Sequence, residues 1–378
     1  MKKINRREAL KVGAIGAAGL ATGAMFIPNK IWAKTTKKVI LKTAAKEVKP
    51  KIALTLVEQA KIAMNEDILQ ASTMELFAKS SDILQYLPFE NISGNAVCFN
   101  RAHGKTIERV TECLTIVGGD LDIDVEFAKR KGKDFTEFRA ETEQRKIKSL
   151  GQSLSKTIIK GDEEKNPREF DGLQVRCKDN QLISNSQYGN VLFLNKLDEL
   201  ITSVDKPTHL LMNRYMRRRI VQYYSQAYQL YMKQIKNIIT SERGKTTWFD
   251  RMSKARKHFE ESKNIRIRYE LDAFRRRVTH YNGLPILISG KDNDHEEILP
   301  FTEKDPSGTP QCTSIYCLSF AKNGVVGLQN HEMKVRDLGE MTTKPVYRTR
   351  IEWYTTIAIL RTRALARLQY IKDGPIEV

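Results

Sequence analysis

The sequence predicts an α+β fold, and three observations predict it. Residues 134–160 carry Phe135, Phe138, Ile147, Leu150, Leu154, Ile158 and Ile159, with helical spacing from 147 onward and charges on the remaining face. Residues 89–128 place Val97, Phe99, Ile107, Val110, Leu114, Ile116, Leu121, Ile123 and Val125 at the short spacing of strands. His209–Asn213, Pro285–Ile288 and Ser314–Phe320 are short apolar runs of the kind a buried sheet uses. At 378 residues the chain has room for two or three domains.

The elements follow in order. Asn5-Arg6-Arg7-Glu8-Ala9-Leu10-Lys11, the uncharged Gly/Ala-rich stretch to Ile27, and Ile31-Trp32-Ala33 have the layout of a twin-arginine leader over residues 1–33. That stretch is too short and too weakly apolar for a stable membrane anchor. Residues 34–53 read as a Lys-rich linker. Between Leu54 and Leu87, residues such as Leu56, Ile62, Met74, Phe77 and Leu84 mark short helical pieces that Pro88 ends. Gly94, Gly104, Gly118 and Gly119 read as breaks among the strands of 89–133. Leu192–Val204 reads as a helix stopped before Pro207. Met216, Ile220, Tyr223, Ala227, Tyr231, Ile235 and Ile238 form one long helical stripe inside the segment 214–281.

Charge divides the chain. The formal net charge is +19, yet residues 1–51 hold thirteen Lys/Arg against two acids, and residues 214–281 eighteen against six. The rest is mildly acidic. Two basic regions on such a body favour a polyanion. Arg217-Arg218-Arg219 and Arg275-Arg276-Arg277, with tyrosines nearby, are the candidate nucleic-acid contacts, non-specific and phosphate-directed.

Catalytic and cofactor motifs fail on spacing. Gly13–Gly19 mimics a dinucleotide fingerprint but follows no strand. Gly104-Lys105-Thr106 and Gly244-Lys245-Thr246 lack the glycine five residues upstream that a phosphate loop needs. Asp120-Leu121-Asp122-Ile123-Asp124 would need Gly and Glu where Val125 and Lys131 stand to be a calcium loop, so it reads as a strand with one acidic face, available to a basic patch on a neighbour. Five cysteines without a Cys-x-x-Cys pair, and six scattered histidines, give no disulfide framework and no metal spacing. His209 reads as a hydrogen-bonded core histidine. No cofactor and no enzyme activity are expected.

Several segments together resemble the major capsid proteins of tailed phages, over about residues 54–371. They are Gly161-Asp162-Glu163-Glu164-Lys165-Asn166-Pro167-Arg168-Glu169-Phe170-Asp171-Gly172-Leu173, Thr208–Asn213, Asn282–Ile288, Arg336–Glu340 and Tyr347–Tyr354, in that order. The resemblance implies an N-terminal arm at 54–88 that embraces neighbouring subunits and an extended β-hairpin loop at 89–133. It further implies a peripheral domain whose long spine helix lies within 134–171, an axial domain at 172–345 with 214–281 as a basic helical insertion, and a return to the peripheral domain at 346–378. It implies a self-assembling icosahedral shell of pentamers and hexamers around DNA, built in the host cytoplasm with scaffold, portal or decoration proteins as further partners. An encapsulin-like compartment shares the implied fold. An exported soluble binding protein or enzyme of unknown substrate is the reading that the leader favours.

Residues 1–51 combine a leader-like tract with a Lys-rich stretch and have little to bury. A chain starting at Pro50 should therefore keep its thermal transition and still assemble. Loss of folding in calorimetry of that truncation is the contrary result.

Overall fold

The computed structural model describes residues 53–103, 106–126, 135–186, 189–241, 250, 253 and 267–377; the leader-like segment with Arg6 and Arg7 lies outside them. The chain opens with β1 (Leu54–Thr55) and α1 (Leu56–Ala63), which starts on a capping box in which Thr55 Oγ1 accepts the Glu58 N–H and Glu58 accepts the Thr55 N–H. Asp67 caps α2 (Ile68–Ser80) by accepting the Gln70 N–H at 3.1 Å, and α3 (Asp82–Tyr86) ends before Pro88. Leu56, Met74, Phe77, Ile83 and Leu84 are all buried in the chain's own core. The segment expected as an arm on neighbouring subunits is therefore folded onto its own body from residue 54. A sheet face that these apolar side chains can cover lies within the same chain, and burial there removes them from water at once.

β2 (Pro88–Asn91) leads into a two-stranded antiparallel ribbon of β3 (Ala96–His103) and β4 (Thr106–Cys113), and β5 (Thr115–Asp124) follows directly. The ribbon is thus shorter than the stretch 89–133, because β2 and β5 are both strands of a larger sheet. Gly118 and Gly119 are not breaks; they lie inside β5 at φ 138° and 146°. A Cβ on Gly118 would stand 2.2 Å from the Ile351 carbonyl oxygen, so the strand can pair there only with glycine.

The long helix α4 (Phe135–Lys160) is the one expected at 134–160. Ile147, Leu154, Ile158 and Ile159 are buried, and Gly151 lets it cross α2 closely, since a Cβ there would meet Ser80 Oγ at 2.1 Å. After it come α5 (Leu173–Arg176), β6 (Leu182–Ser184), α6 (Leu194–Ser203), β7 (His209–Met212) and α7 (Arg214–Ser241). Asn213 joins the last two: its Oδ1 accepts the Met216 N–H at 2.7 Å as a helix cap, and its Nδ2 donates to Leu299 O at 2.9 Å. The remaining elements are strands: β8 (Ile267–Leu271), β9 (Arg277–Tyr281), β10 (Leu284–Ile288), β11 (Glu303–Lys304), β12 (Pro310–Leu318), β13 (Val325–Gln329), β14 (Lys334–Glu340), β15 (Val346–Ile359) and β16 (Leu365–Lys372). The segment 214–281 is thus not helical throughout, because β8 and β9 extend a sheet. Asp272 closes their hairpin by accepting the N–H groups of Phe274 and Arg276 at 2.9 and 2.7 Å, with Arg275 at φ 59° in the turn.

Two sheets organise the fold. The first runs β1-β2-β13-β15-β14, with β5 on β15, and the second runs β6-β16-β12-β7-β10-β9-β8, with β11 on β12. α1 to α4 cover one face of the first sheet, where Trp353 is buried against Phe77 and Phe89 and donates its indole N–H to Gln329 at 2.9 Å. The central strands of the second sheet are buried on both faces, as their apolar runs imply. Leu211, Leu287 and Tyr316 join the core of the first sheet, and Leu210, Met212, Ile286 and Ile315 pack with α6 and the start of α7. His209 lies between the rings of Tyr86 and Phe320, at 4.9 and 4.8 Å, with Nδ1 2.9 Å from Thr208 Oγ1. Burial pulls its pKa down to about 4, so the ring is neutral at pH 7. The five cysteines are free, and burial pushes the Cys177 and Cys317 thiols up to about 12.

Candidate functional site

No cluster of metal-ligating side chains occurs among the described residues, and none of their helices is long and apolar enough to cross a membrane. The features left to carry function are the ribbon with its anchorage and the two arginine triplets.

The ribbon is anchored at its base. Glu112 on β4 and Arg176 on α5 form a paired-fork ion bridge in which Arg176 Nη2 donates to Glu112 Oε2 at 2.7 Å and Nη1 to Oε1, with both side chains about nine-tenths buried. Arg176 Nε donates in turn to the Asp171 carbonyl at 2.6 Å. Val97 and Phe99, on the same ribbon face as Glu112, pack toward Ile92, Val326, Leu328 and Ala358 on the side of the first sheet that the helices leave uncovered.

Arg176 is held by the turn that the Pro-Arg-Glu-Phe-Asp-Gly-Leu run encodes. The Gly172 N–H donates to Gly161 O at 2.8 Å, closing the loop, and a Cβ on Gly172 would stand 2.7 Å from the Gly161 nitrogen. The two glycines are close-approach positions. Asp171 accepts the Glu163 N–H across the loop at 3.0 Å, while Phe170 and Leu173 are buried beneath it.

The acidic strand has found its basic partners within its own chain. Asp122 and Arg348 stand directly opposite on β5 and β15, as do Asp120 and Arg350. Arg348 grips Asp122 at 2.6 Å through both Nε and Nη2, and Arg350 grips Asp120 at 2.6 and 2.9 Å. These hydrogen bonds hold both carboxyls below the usual carboxylate range. The expected contact with a neighbour's basic patch is thereby overturned at Asp120 and Asp122, because the cross-strand arginines already neutralise them.

The arginine triplets stand apart in sequence, yet Arg276 lies 3.6 Å from Asp82, a carboxylate that also feels the charge of Arg217. Burial raises the pKa of Asp82, and its carboxylate accepts the Ile288 N–H at 2.9 Å. Arg276 further binds Asp272 at 2.7 Å, Arg219 binds Asp373 at 3.1 Å, and the Arg277 guanidinium lies 3.7 Å from the Tyr269 ring centre. Half of the six arginines are therefore occupied. Arg218 and Arg275 are exposed, and Arg217 is half-buried. The ribbon anchor was missed by sequence reading, since Glu112 and Arg176 carry no local pattern.

A family model described as Major capsid protein GP7 matches residues 101–192, the stretch holding β4, β5, α4 and the glycine-closed turn. No curated protein matches. Among solved structures, the holo-SrpI encapsulin complex from Synechococcus elongatus PCC 7942 is 14% identical with a TM-score of 0.50, covering 94% of this chain and 99% of that one. A Microbacterium phage Oxtober96 structure is 8% identical with a TM-score of 0.45, covering 98% and 100%. The capsid of a native GTA particle is 12% identical with a TM-score of 0.44, covering 77% and 90%. The chain has the fold shared by tailed-phage capsids and encapsulins.

Breaking the anchor should be costly. Glu112→Ala leaves a buried guanidinium unpaired, with an expected loss of about 3–5 kcal/mol in denaturant unfolding of the unassembled subunit. Glu112→Leu with Arg176→Met should lose much less. A loss below about 1 kcal/mol for Glu112→Ala would show that the bridge is not a structural anchor.

Proposed function

We infer that this chain is a major capsid protein, a self-assembling structural subunit of a phage or prophage shell. The observation that carries the reading is the joint one. The family model falls on β4 of the ribbon, the long helix and the turn that follows it, and 94% of the chain follows the backbone of a shell protein. In this reading the ribbon is the extended loop, α4 the spine helix, the six-stranded sheet the peripheral domain and the eight-stranded sheet the axial domain, which moves β13 and β14 out of the axial domain expected at 172–345 and β16 out of the peripheral return expected at 346–378. The role is structural. The shell forms in the host cytoplasm, encloses DNA, and draws on scaffold, portal or decoration proteins. The twin-arginine tract is a separate proposal, tested by N-terminal mass of the mature protein.

The encapsulin likeness supports a second reading, a compartment around protein cargo. The family model favours the phage shell. The contents of purified particles separate the two: nucleic acid for the first, a co-purifying protein for the second.

The purified protein should form pentamers, hexamers or closed particles in light scattering and negative-stain microscopy. A strictly monomeric species at every concentration, even with a scaffold supplied, would remove the shell reading.

The basic segment supports phosphate contact through Arg217, Arg218 and Arg275, the three with neither an ion pair nor a ring partner among the described residues. Replacing these three by Gln, and leaving the structurally engaged Arg219, Arg276 and Arg277, should flatten the salt dependence of duplex binding by up to about 0.9 per contact, without sequence preference. An unchanged slope would place the contact elsewhere.

A further inference from the structure

Exposed apolar side chains are spread over the described residues: Ile68 on the α1–α2 turn, Ile107 on the ribbon, Ile116 on β5, Leu230 on α7 and Leu271 on β8. Scattered singly, such side chains need no partner. A strand edge with an open row of backbone N–H and C=O groups does call for one. Among the edges of the two large sheets, β1, β6 and β11 are only two or three residues long. β14 carries a bulge between Asp337 and Gly339, and β5 holds Gly118 and Gly119 at positive φ and has its Asp122 carbonyl capped by Lys146. Such features blunt an edge. β8 (Ile267–Leu271) has none of them among the described residues, and it ends the second sheet. Leu271 is 70% and Tyr269 44% exposed on it.

The hydrogen-bond pattern says which groups are open. Tyr281 and Leu284 face each other across the turn Asn282–Gly283, so Tyr281 directs its backbone groups to β10. By alternation His280 and Val278 direct theirs to β8, where Arg268 and Glu270 stand opposite them. The Asp272 N–H bond to Arg276 O at 2.9 Å fits the same alternation. The backbone groups of Ile267, Tyr269 and Leu271 therefore point to the open side. If two such edges pair antiparallel, outward residues must oppose outward residues. Centring the pair on Arg268 would set Arg268 against itself, and centring it on Glu270 would set Glu270 against itself. Centring it on Tyr269 sets Arg268 against Glu270 and Ile267 against Leu271. The strand is complementary to its own copy in that one register.

We propose that β8 pairs antiparallel with β8 of a second copy of this chain, about a two-fold axis at Tyr269, joining two eight-stranded sheets into one. The contact uses the same patch on both copies and closes at two. It needs only two copies and does not rest on the shell reading. Backbone bonds supply the attraction, and the paired Arg268 and Glu270 fix the register. Five residues of ladder make a small interface, so the dimer is weak and best read by a covalent trap.

The test uses the full chain carrying Tyr269→Cys. In the proposed register the two copies of position 269 form a hydrogen-bonded pair with Cα atoms about 5.5 Å apart, within the span of a disulfide. Oxidation with copper phenanthroline should give a covalent dimer at least about fivefold above the background set by Cys98 and Cys113 in the unchanged chain. Arg268→Cys and Glu270→Cys, each one residue off the axis, should give much less. Adding Arg268→Glu to Tyr269→Cys opposes like charges on both sides of the axis and should cut the dimer about fivefold. Adding Glu270→Arg as well should restore it to within about twofold. Iodoacetamide labelling of the thiol should not change between these backgrounds, and the thermal transition should stay within about 2 °C. A dimer as abundant from Arg268→Cys or Glu270→Cys, or a paired swap no better than the single one, overturns the pairing. So does a Tyr269→Cys chain that stays at background, the result expected if residues 242–266 or another protein cover this edge. Particles without this dimer would leave the shell reading standing alone, and the dimer without particles would do the reverse.

Discussion

One strand constrains the rest of this molecule. β15 must pair with β5 on one edge from Val346 to Thr355, and on the other edge with β14 and then β13. Its core face carries Ile351, Trp353, Ile357 and Ile359 against the helices, while Arg348 and Arg350 on the other face take up the acids of β5. A short connection then makes the same chain β16, which lies between β6 and β12 in the second sheet. Displacing β15 would unpair three strands, uncover Trp353, leave two charge pairs open and shift the start of β16. The helical layer, the ribbon exit at β5 and the second sheet all take their positions from it.

The ribbon shows the opposite principle. It is a two-stranded element, too small to be stable alone in water. Its base borrows stability from the body through the Glu112–Arg176 bridge and through Val97 and Phe99, while its far end keeps an isoleucine in solvent. A buried ion pair is a weak source of net stability but a demanding geometric restraint, because neither charge tolerates loss of the other. The restraint sets where the ribbon leaves the body.

Much of this was legible in the sequence. The helical stripe ending at Ile159 marked α4, the run His209–Asn213 marked β7, and the acids at 120, 122 and 124 marked one face of a strand. These signals are local: a period, a run, an alternation. Illegible were the partners. Asp122 meets Arg348 and Glu112 meets Arg176 across long stretches of chain that no periodicity connects. The same gap misplaced the segment from Leu54: its apolar side chains were visible, but not the sheet within the same chain that buries them. Gly118 read as punctuation because a glycine needed for close approach to Ile351 looks, in one dimension, like a glycine in a turn. The arginine triplets were found as charge, yet charge alone does not reveal that Arg276 closes a hairpin over Asp272.

The direct passage from β4 into β5, with Leu114 alone between them, has a mechanical consequence. The ribbon is tied to the body at one end of β5, so a pull can be directed along that strand. The hydrogen bonds of the β5–β15 ladder then bear the load side by side, in shear. A pull across the strands would instead open them one at a time, like a zipper. An element joined through one residue to the end of a ten-residue strand is therefore coupled, for a pull along that strand, in the geometry that resists tearing best.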